Sequence, residues 1–214
     1  MSYLTIKEQA SAEFEEKKSV FIGYVKRVYS EEEARSFINE IKSMHKEARH
    51  NVYSYVIGQN MGIQRYSDDG EPQGTAGIPV LEVVKKNGLT DIAVVVTRYF
   101  GGILLGTGGL ARAYSKGASL AIKEGGIVEK VKGQEVKIII DYDLLGKVQY
   151  ICNQNKWYIE DTEYTEVVKI KLYCEVSNYD ALVKEITEAT SGKAEFYKED
   201  ERYYFKCDNR LILE

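Results

Sequence analysis

A chain of 214 residues with 44% hydrophobic and 29% charged side chains can bury a sizeable core, which excludes wholesale disorder. The formal net charge of −4 is uneven: residues 1–133 carry 18 Lys and Arg against 16 Asp and Glu, the remainder 11 against 17. That balance lacks the broad basic footprint usual in a nucleic-acid binder, though it leaves room for a local basic face. The longest uncharged stretches, residues 51–64 and the glycine-rich 99–111, are too short to span a bilayer. The first residues lack a signal-peptide apolar region, and neither end carries a lipidation motif. Cys152, Cys174 and Cys207 are odd in number and widely spaced, which suits neither a disulfide framework nor a zinc site. They read as reduced core residues, and a cytoplasmic location is expected.

In chain order, Val20 to Lys26 alternate as an early strand. Ser30 and Glu33 form a capping box for a helix with Ala34, Phe37, Ile38 and Ile41 on one face, finished by His45. Val52–Gly58 and Ile63–Tyr66 read as a hairpin about a turn at 60–62. Thr75 is expected to cap a helix that holds Pro79 in its first turn and stops at Gly88. Ile92–Tyr99 is apolar on both faces, as in a central strand. Leu110, Ala113, Tyr114, Gly117, Ala118, Ala121 and Ile122 form a helical stripe of mostly small residues, which implies close packing on a sheet. A boundary with a short linker is expected near Gly133. Beyond it come a strand at Val136–Ile140, a helix capped by Asp143, a short strand at Trp157–Ile159 and a longer one at Val168–Cys174. A helix capped by Ser177 or Asn178 and a last strand within Ala194–Phe205 complete a β-α-β-β-α-β order, the ferredoxin-like plan. The fold class is therefore α+β with two domains, 1–132 and 134–214.

Unusual residues concentrate between Asp68 and Ala121. Gly106-Thr107-Gly108-Gly109 lies between a strand region and a helix start, where backbone amides favour an anion. Arg98 and Arg112 are placed to add contacts to phosphate or carboxylate. The plainer alternative is that these glycines only turn the chain. No lysine-containing P-loop and no dinucleotide fingerprint is present. Asp68-Asp69-Gly70-Glu71 fits either an acid/base or metal cluster or a solvated Asp-Gly turn, and its spacing is not that of a calcium loop. His45 and His50 are five apart, so they do not share a helical face. There is no nucleophile elbow and no convincing catalytic set.

Ala48-Arg49-His50-Asn51-Val52-Tyr53-Ser54-Tyr55, Ser67 through Gly77, Val96-Thr97-Arg98-Tyr99-Phe100-Gly101-Gly102 and Leu105 through Tyr114 together resemble the signature of the IMPACT/YigZ family. The likeness covers most of residues 1–130; Arg49 departs from it, standing where the family more often has a small residue. The resemblance implies an N-terminal α/β domain shared with a small-subunit ribosomal protein domain, domain IV of elongation factor G and the GHMP kinases. It also implies a ferredoxin-like C-terminal domain similar to domain V of elongation factor G. Eukaryotic relatives regulate translation by interfering with activation of the general-control kinase through its ribosome-associated activator. They carry a different accessory domain, so that partner does not transfer to this chain. The expectation is a non-enzymatic regulator associated with translation, needing no cofactor or metal. Its partner would be the ribosome, an RNA, another phosphate-bearing ligand or a translation-related protein. The expected ligand site comprises His50, Asp68, Asp69, Gly70, Glu71, Arg98, Gly101, Gly102, Gly106, Gly108, Gly109 and Arg112, with the acidic loop and Arg98 meeting at the start of the glycine-led helix. Two other readings stay open: an enzyme of phosphoryl or phosphate-ester chemistry using Asp68–Glu71, Arg98 and Arg112, and a protein-interaction scaffold.

Overall fold

A computed structural model describes residues 2–214. The chain divides into two compact units, residues 3–128 and residues 129–214 with Ser2. No helix among the described residues is long and apolar enough to cross a membrane.

The N-terminal unit begins with β1 (Tyr3–Ile6), β2 (Ala10–Glu16), β3 (Ser19–Arg27), α1 (Glu31–Met44), β4 (His50–Ile57) and β5 (Ile63–Ser67). It continues through α2 (Gly77–Lys86), β6 (Ile92–Tyr99) and α3 (Thr107–Gly125). Five strands form an antiparallel sheet in the order β2-β3-β6-β4-β5. β6 is central, so both its faces are covered and its apolar run needs no alternation. On one face Val94 and Val96 pack with α2 and α3; on the other Ala93 and Val95 pack with Phe37, Ile38 and Ile41 of α1. The small-residue stripe of α3 brings that helix onto β3: a Cβ on Gly23 would stand 2.3 Å from the Gly117 carbonyl oxygen. β1 and β2 escaped the sequence reading. β2 offers only Ala10, Ala12 and Phe14 between exposed glutamates at a sheet edge, too weak a period to stand out.

Half of the capping box at α1 forms: the Glu33 amide donates to Ser30 Oγ at 3.2 Å, while Glu33 Oε2 accepts from the Tyr29 amide in place of that of Ser30. His45 is the C-cap, as expected. Thr75 does not cap α2: its hydroxyl donates to the Pro72 carbonyl, and Ala76 is the N-cap residue without a side-chain bond of its own.

The C-terminal unit contains β7 (Ile127–Ile140, which enters from the preceding unit), α4 (Leu145–Gln154), β8 (Ile159–Tyr164), β9 (Val168–Glu175), α5 (Tyr179–Ala189), β10 (Glu195–Lys198), β11 (Arg202–Cys207) and β12 (Arg210–Leu213). β8, β9, β7 and β10 are neighbours in that order, all antiparallel. Val136, Ile138 and Ile140 meet Val168, Ile170 and Leu172 on one face, where Val148 and Cys152 of α4 and Leu182 and Ile186 of α5 close a separate core.

Gly133 is not in a linker but inside β7, where a Cβ would stand 2.9 Å from side-chain carbons of Tyr204 and Leu211. The glycine answers close packing rather than a turn. Asp143 lies in a short 3₁₀ turn ahead of α4, and neither it nor Ser177 or Asn178 makes a capping bond. The final strand is three: β10 and β11 pair with different halves of β7, and β12 returns along β11. Cys152 and Cys174 are buried, whereas Cys207 is only partly covered.

Candidate functional site

Two glycine-containing loops lead into two helices, and they end differently. In the first, Asp68 Oδ1 accepts from the amides of Ala76 and Gly77 at 3.0 and 2.8 Å, and Oδ2 from Gly74 at 2.9 Å. A carboxylate eight residues upstream therefore fills the N-terminus of α2, where partial positive charge collects. Asp69 accepts from the Asn51 amide at 2.7 Å and from Lys42 Nζ at 2.6 Å. Gly70, at φ +87°, turns the chain beside the His50 ring. Glu71 then points inward.

β4 and β6 pair so that His50 stands opposite Arg98. Arg98 Nη1 donates to Glu71 Oε1 at 2.6 Å, with both side chains almost fully covered: the residues are 5% and 9% exposed. The Tyr114 hydroxyl of α3 donates to the same oxygen at 2.8 Å. Burial, and then the nearby Glu71 charge, push the Tyr114 hydroxyl far above its usual range, so it stays a donor. His50 Nδ1 lies 2.9 Å from the Asp69 carbonyl, which can only accept, so Nδ1 carries the proton. Nε2 is left facing Glu71 at 4.0 Å. The Arg98 guanidinium lies near the Phe21 and Phe100 rings at 5.5 and 5.4 Å. Its Nε is buried without a hydrogen-bond partner.

Asp68, Asp69 and Glu71 thus go to three different sets of partners, in place of either a solvated turn or a shared acid/base cluster. The acidic loop and Arg98 do come together, but they meet α3 at Tyr114, two turns in. Arg98 is spent on Glu71 rather than facing an open surface. Tyr114, Ser19, Lys42 and Asn51 were missed. Tyr114 sits on the small-residue stripe and reads as core, while the other three have no local signal that sets them apart.

The second loop is open. Ser19 Oγ joins it to the buried knot, accepting from the Gly101 amide at 3.1 Å and lying 3.4 Å from Arg98 Nη2. Gly101 backs so closely on the β2–β3 turn that a Cβ would overlap the Lys18 carbonyl, 1.9 Å away. Beyond it, Cβ positions at Gly102, Gly106 and Gly108 meet nothing within 4 Å. Gly106, at φ +71°, is the N-cap of α3 and supplies no side-chain cap. Gly109, Arg112 and Lys116 share a cleft of 250 Å³ with Lys17, Glu16 and Leu105. Lys17 and Lys18 both have positive φ in the two-residue turn of this hairpin. Gly102, Gly106, Gly108, Gly109 and Arg112 therefore belong to this exposed end; His50, Asp68, Asp69, Gly70, Glu71 and Arg98 form the clasp behind it.

A second network joins α1 to the sheet. His45 Nε2 and Nδ1 lie 2.6 and 2.8 Å from the hydroxyls of Tyr24 and Tyr99. Burial holds the imidazole below its usual range.

Each half of the chain resembles a known domain. The Impact N-terminal domain matches residues 17–122, which hold the clasp and the open loop, and a domain of unknown function (DUF1949) matches residues 138–193. The IMPACT family member YvyE of Bacillus subtilis is 42% identical over 98% of this chain and 97% of its own length. The IMPACT family member YigZ of Escherichia coli is 35% identical over 73% and 78%. A crystal structure described as that of a hypothetical protein is 29% identical and superposes with a TM-score of 0.59, covering 94% of this chain and 98% of the other. With both halves matched and relatives that run nearly end to end, the chain belongs to the IMPACT family.

Proposed function

We propose that this chain is a non-enzymatic, translation-associated regulator that acts in the cytoplasm and binds the ribosome or an RNA through phosphate. The observation that carries the reading is the contrast between the two helix starts. Asp68 occupies the amides of α2, while the start of α3 has no side-chain cap and stands beside Arg112, Lys116 and Lys17. Uncapped first-turn amides, glycines that let a ligand approach and nearby cations together suit a phosphate oxygen. Arg98, Glu71 and Tyr114 act here as the clasp that positions the Gly101 end of the loop through Ser19.

Membership of the IMPACT family supports the link to translation. The proposed kinship of the N-terminal unit with domain IV of elongation factor G remains part of this reading. The order β8-β9-β7-β10, with α4 and α5 on one face, supports a ferredoxin-like assignment for the C-terminal unit. Separation of the three acidic side chains onto different partners weighs against the phosphoryl-chemistry alternative.

Co-sedimentation with ribosomes at low salt tests the proposal. Wild-type protein should pellet with ribosomes and release as salt rises, and Arg112→Ala should release at lower salt. No association, together with no RNA crosslinks, would overturn it.

A further inference from the structure

The C-terminal unit carries a cavity of 490 Å³ between the end of α4 and the turn joining β11 to β12. That volume lies toward the small end of the range for ligand sites. Cys152, Trp157, Tyr158 and Cys207 give it apolar and aromatic walls, and Lys156 and Asp208 stand among them. Trp157 is half-buried and packs against the core of the unit. A smaller cavity of 140 Å³ shares Lys156, Trp157 and Asn209, so the indole borders both spaces.

The backbone sets the positions of Lys156 and Asp208. At the end of α4 the Trp157 amide donates to the Cys152 carbonyl at 2.8 Å, and the Lys156 amide to the Asn153 carbonyl at 3.2 Å. These two bonds close the helix through a residue in the left-handed region, and Lys156 fills that position at φ +59°. Glycine is the usual residue there. Asp208, at φ +54°, opens the two-residue turn between Cys207 and Arg210, which pair in the β11–β12 register. Arg210 is committed elsewhere. Its Nε and Nη2 donate to the two oxygens of Glu160 at 2.8 and 2.7 Å, and its guanidinium lies 4.5 Å from the centre of the Tyr158 ring. This fork ties the turn to β8. By contrast, neither Lys156 nor Asp208 makes an ion pair or a side-chain hydrogen bond with any described residue. The lining therefore holds one unpaired cation, one unpaired anion and two aromatic rings.

We propose that this cavity binds a free amino acid with an apolar or aromatic side chain. Its carboxylate goes to Lys156, its ammonium to Asp208 and its side chain against Trp157 and Tyr158. A ligand with one charge would be attracted by one of the two residues and repelled by the other. A neutral sugar would leave both unpaired. A zwitterion answers both at once, and the amides of Asn153 and Asn209 in the same lining offer donors and acceptors to either end. This site lies in a different unit from the proposed phosphate site and does not depend on it. A larger cleft of 870 Å³ between α2 and α3 is also charged, but there Lys85 and Glu82 already pair at 2.7 Å and no aromatic residue lines it.

Trp157 is the only tryptophan in the chain, so its fluorescence reads this cavity directly. The test titrates the full chain with L-phenylalanine and L-leucine, with calorimetry as a second readout. Phenethylamine, 3-phenylpropionate and glycine serve as analogues that lack the carboxylate, the amine and the side chain in turn. At least one of the two amino acids should saturate below about 10 mM, and the analogues should bind about fivefold more weakly or worse. Lys156→Gly suits the left-handed position and keeps the helix end intact. It should weaken phenylalanine binding about fivefold or more while leaving phenethylamine within about twofold of wild type. Asp208→Asn should weaken phenylalanine likewise and leave 3-phenylpropionate within about twofold. No saturation by either amino acid in either readout would overturn the proposal. So would equal binding of phenylalanine and its two one-charge analogues, or wild-type affinity in Lys156→Gly and Asp208→Asn. Ribosome pelleting turns on Arg112 in the other unit and should be unchanged in both variants, so failure here leaves the proposed function standing.

Discussion

Arg98→Ala is the perturbation that best separates the buried clasp from a ligand-binding role. Arg98 and Glu71 are 5% and 9% exposed and joined at 2.6 Å, so removing the guanidinium strands a carboxylate in a site water barely reaches. The Tyr114 hydroxyl at 2.8 Å then remains to meet that charge. Breaking a buried ion pair from one side typically costs about 3–5 kcal/mol, against about 0–1 kcal/mol for an exposed pair. Urea unfolding followed by far-ultraviolet circular dichroism is the suitable assay, because the single tryptophan, Trp157, lies in the C-terminal unit and does not report on this site. Glu71→Gln should cost less, since an amide still accepts from Arg98 and Tyr114. The double variant Arg98→Met/Glu71→Leu should recover much of the loss, because no charge is left buried. A cost below about 1 kcal/mol for Arg98→Ala would refute the reasoning, since the pair would then be behaving as a surface contact. In the same variant, the salt slope of RNA binding should match wild type if it still folds. A lowered slope would return Arg98 to the list of phosphate contacts.

Asp68→Ala removes the acceptor for three amides at the start of α2 and should cost about 1–2 kcal/mol by the same unfolding assay, with Asp68→Asn intermediate. Gly23→Ala should be strongly destabilising, because its Cβ meets helix backbone at 2.3 Å, which no side-chain rotation relieves. Gly108→Ala, with open space at its Cβ, should be neutral or slightly stabilising in thermal melts. His45 is held below its usual range, so the unfolded chain binds a proton more readily and stability is lost as pH falls through about 6.5. The stability of His45→Gln should fall less than that of wild type between pH 7 and 5; parallel curves would show that the imidazole does not carry this loss. Burial pushes the thiols of Cys152 and Cys174 up to about 11 and about 12. A thiol reagent at neutral pH should therefore label the partly covered Cys207 first, and the other two only on unfolding.

Much of the fold was legible because it rests on local periodicity. The apolar run of β6, the α3 stripe, the Ser30 cap of α1 and the hairpin about residues 60–62 are written within windows of ten to twenty residues. The β-α-β-β-α-β order of the C-terminal unit was readable for the same reason. The failures are also local in origin. β2 lacks an apolar face strong enough to register, and the last strand was read as one because both its halves pair with β7, a fact absent from their own residues. Gly133 has the appearance of a boundary in sequence and is a packing residue in space.

At the site, residue identity by itself marked the region and the family likeness, and it placed the acidic loop with Arg98. It could not say what each charge was for. Thr75 is the plausible cap by local rules, and only the folded loop brings Asp68 to the amides and turns Thr75 toward Pro72. Arg98 and Arg112 are both arginines beside glycine-rich turns. The sheet register sets one opposite His50 under cover, while the helix leaves the other exposed beside an open cleft. Sequence periodicity determines which face of an element is apolar. Which charge meets which is decided across 27 residues between Glu71 and Arg98 and 43 between Glu71 and Tyr114, by strand pairing that no short window contains.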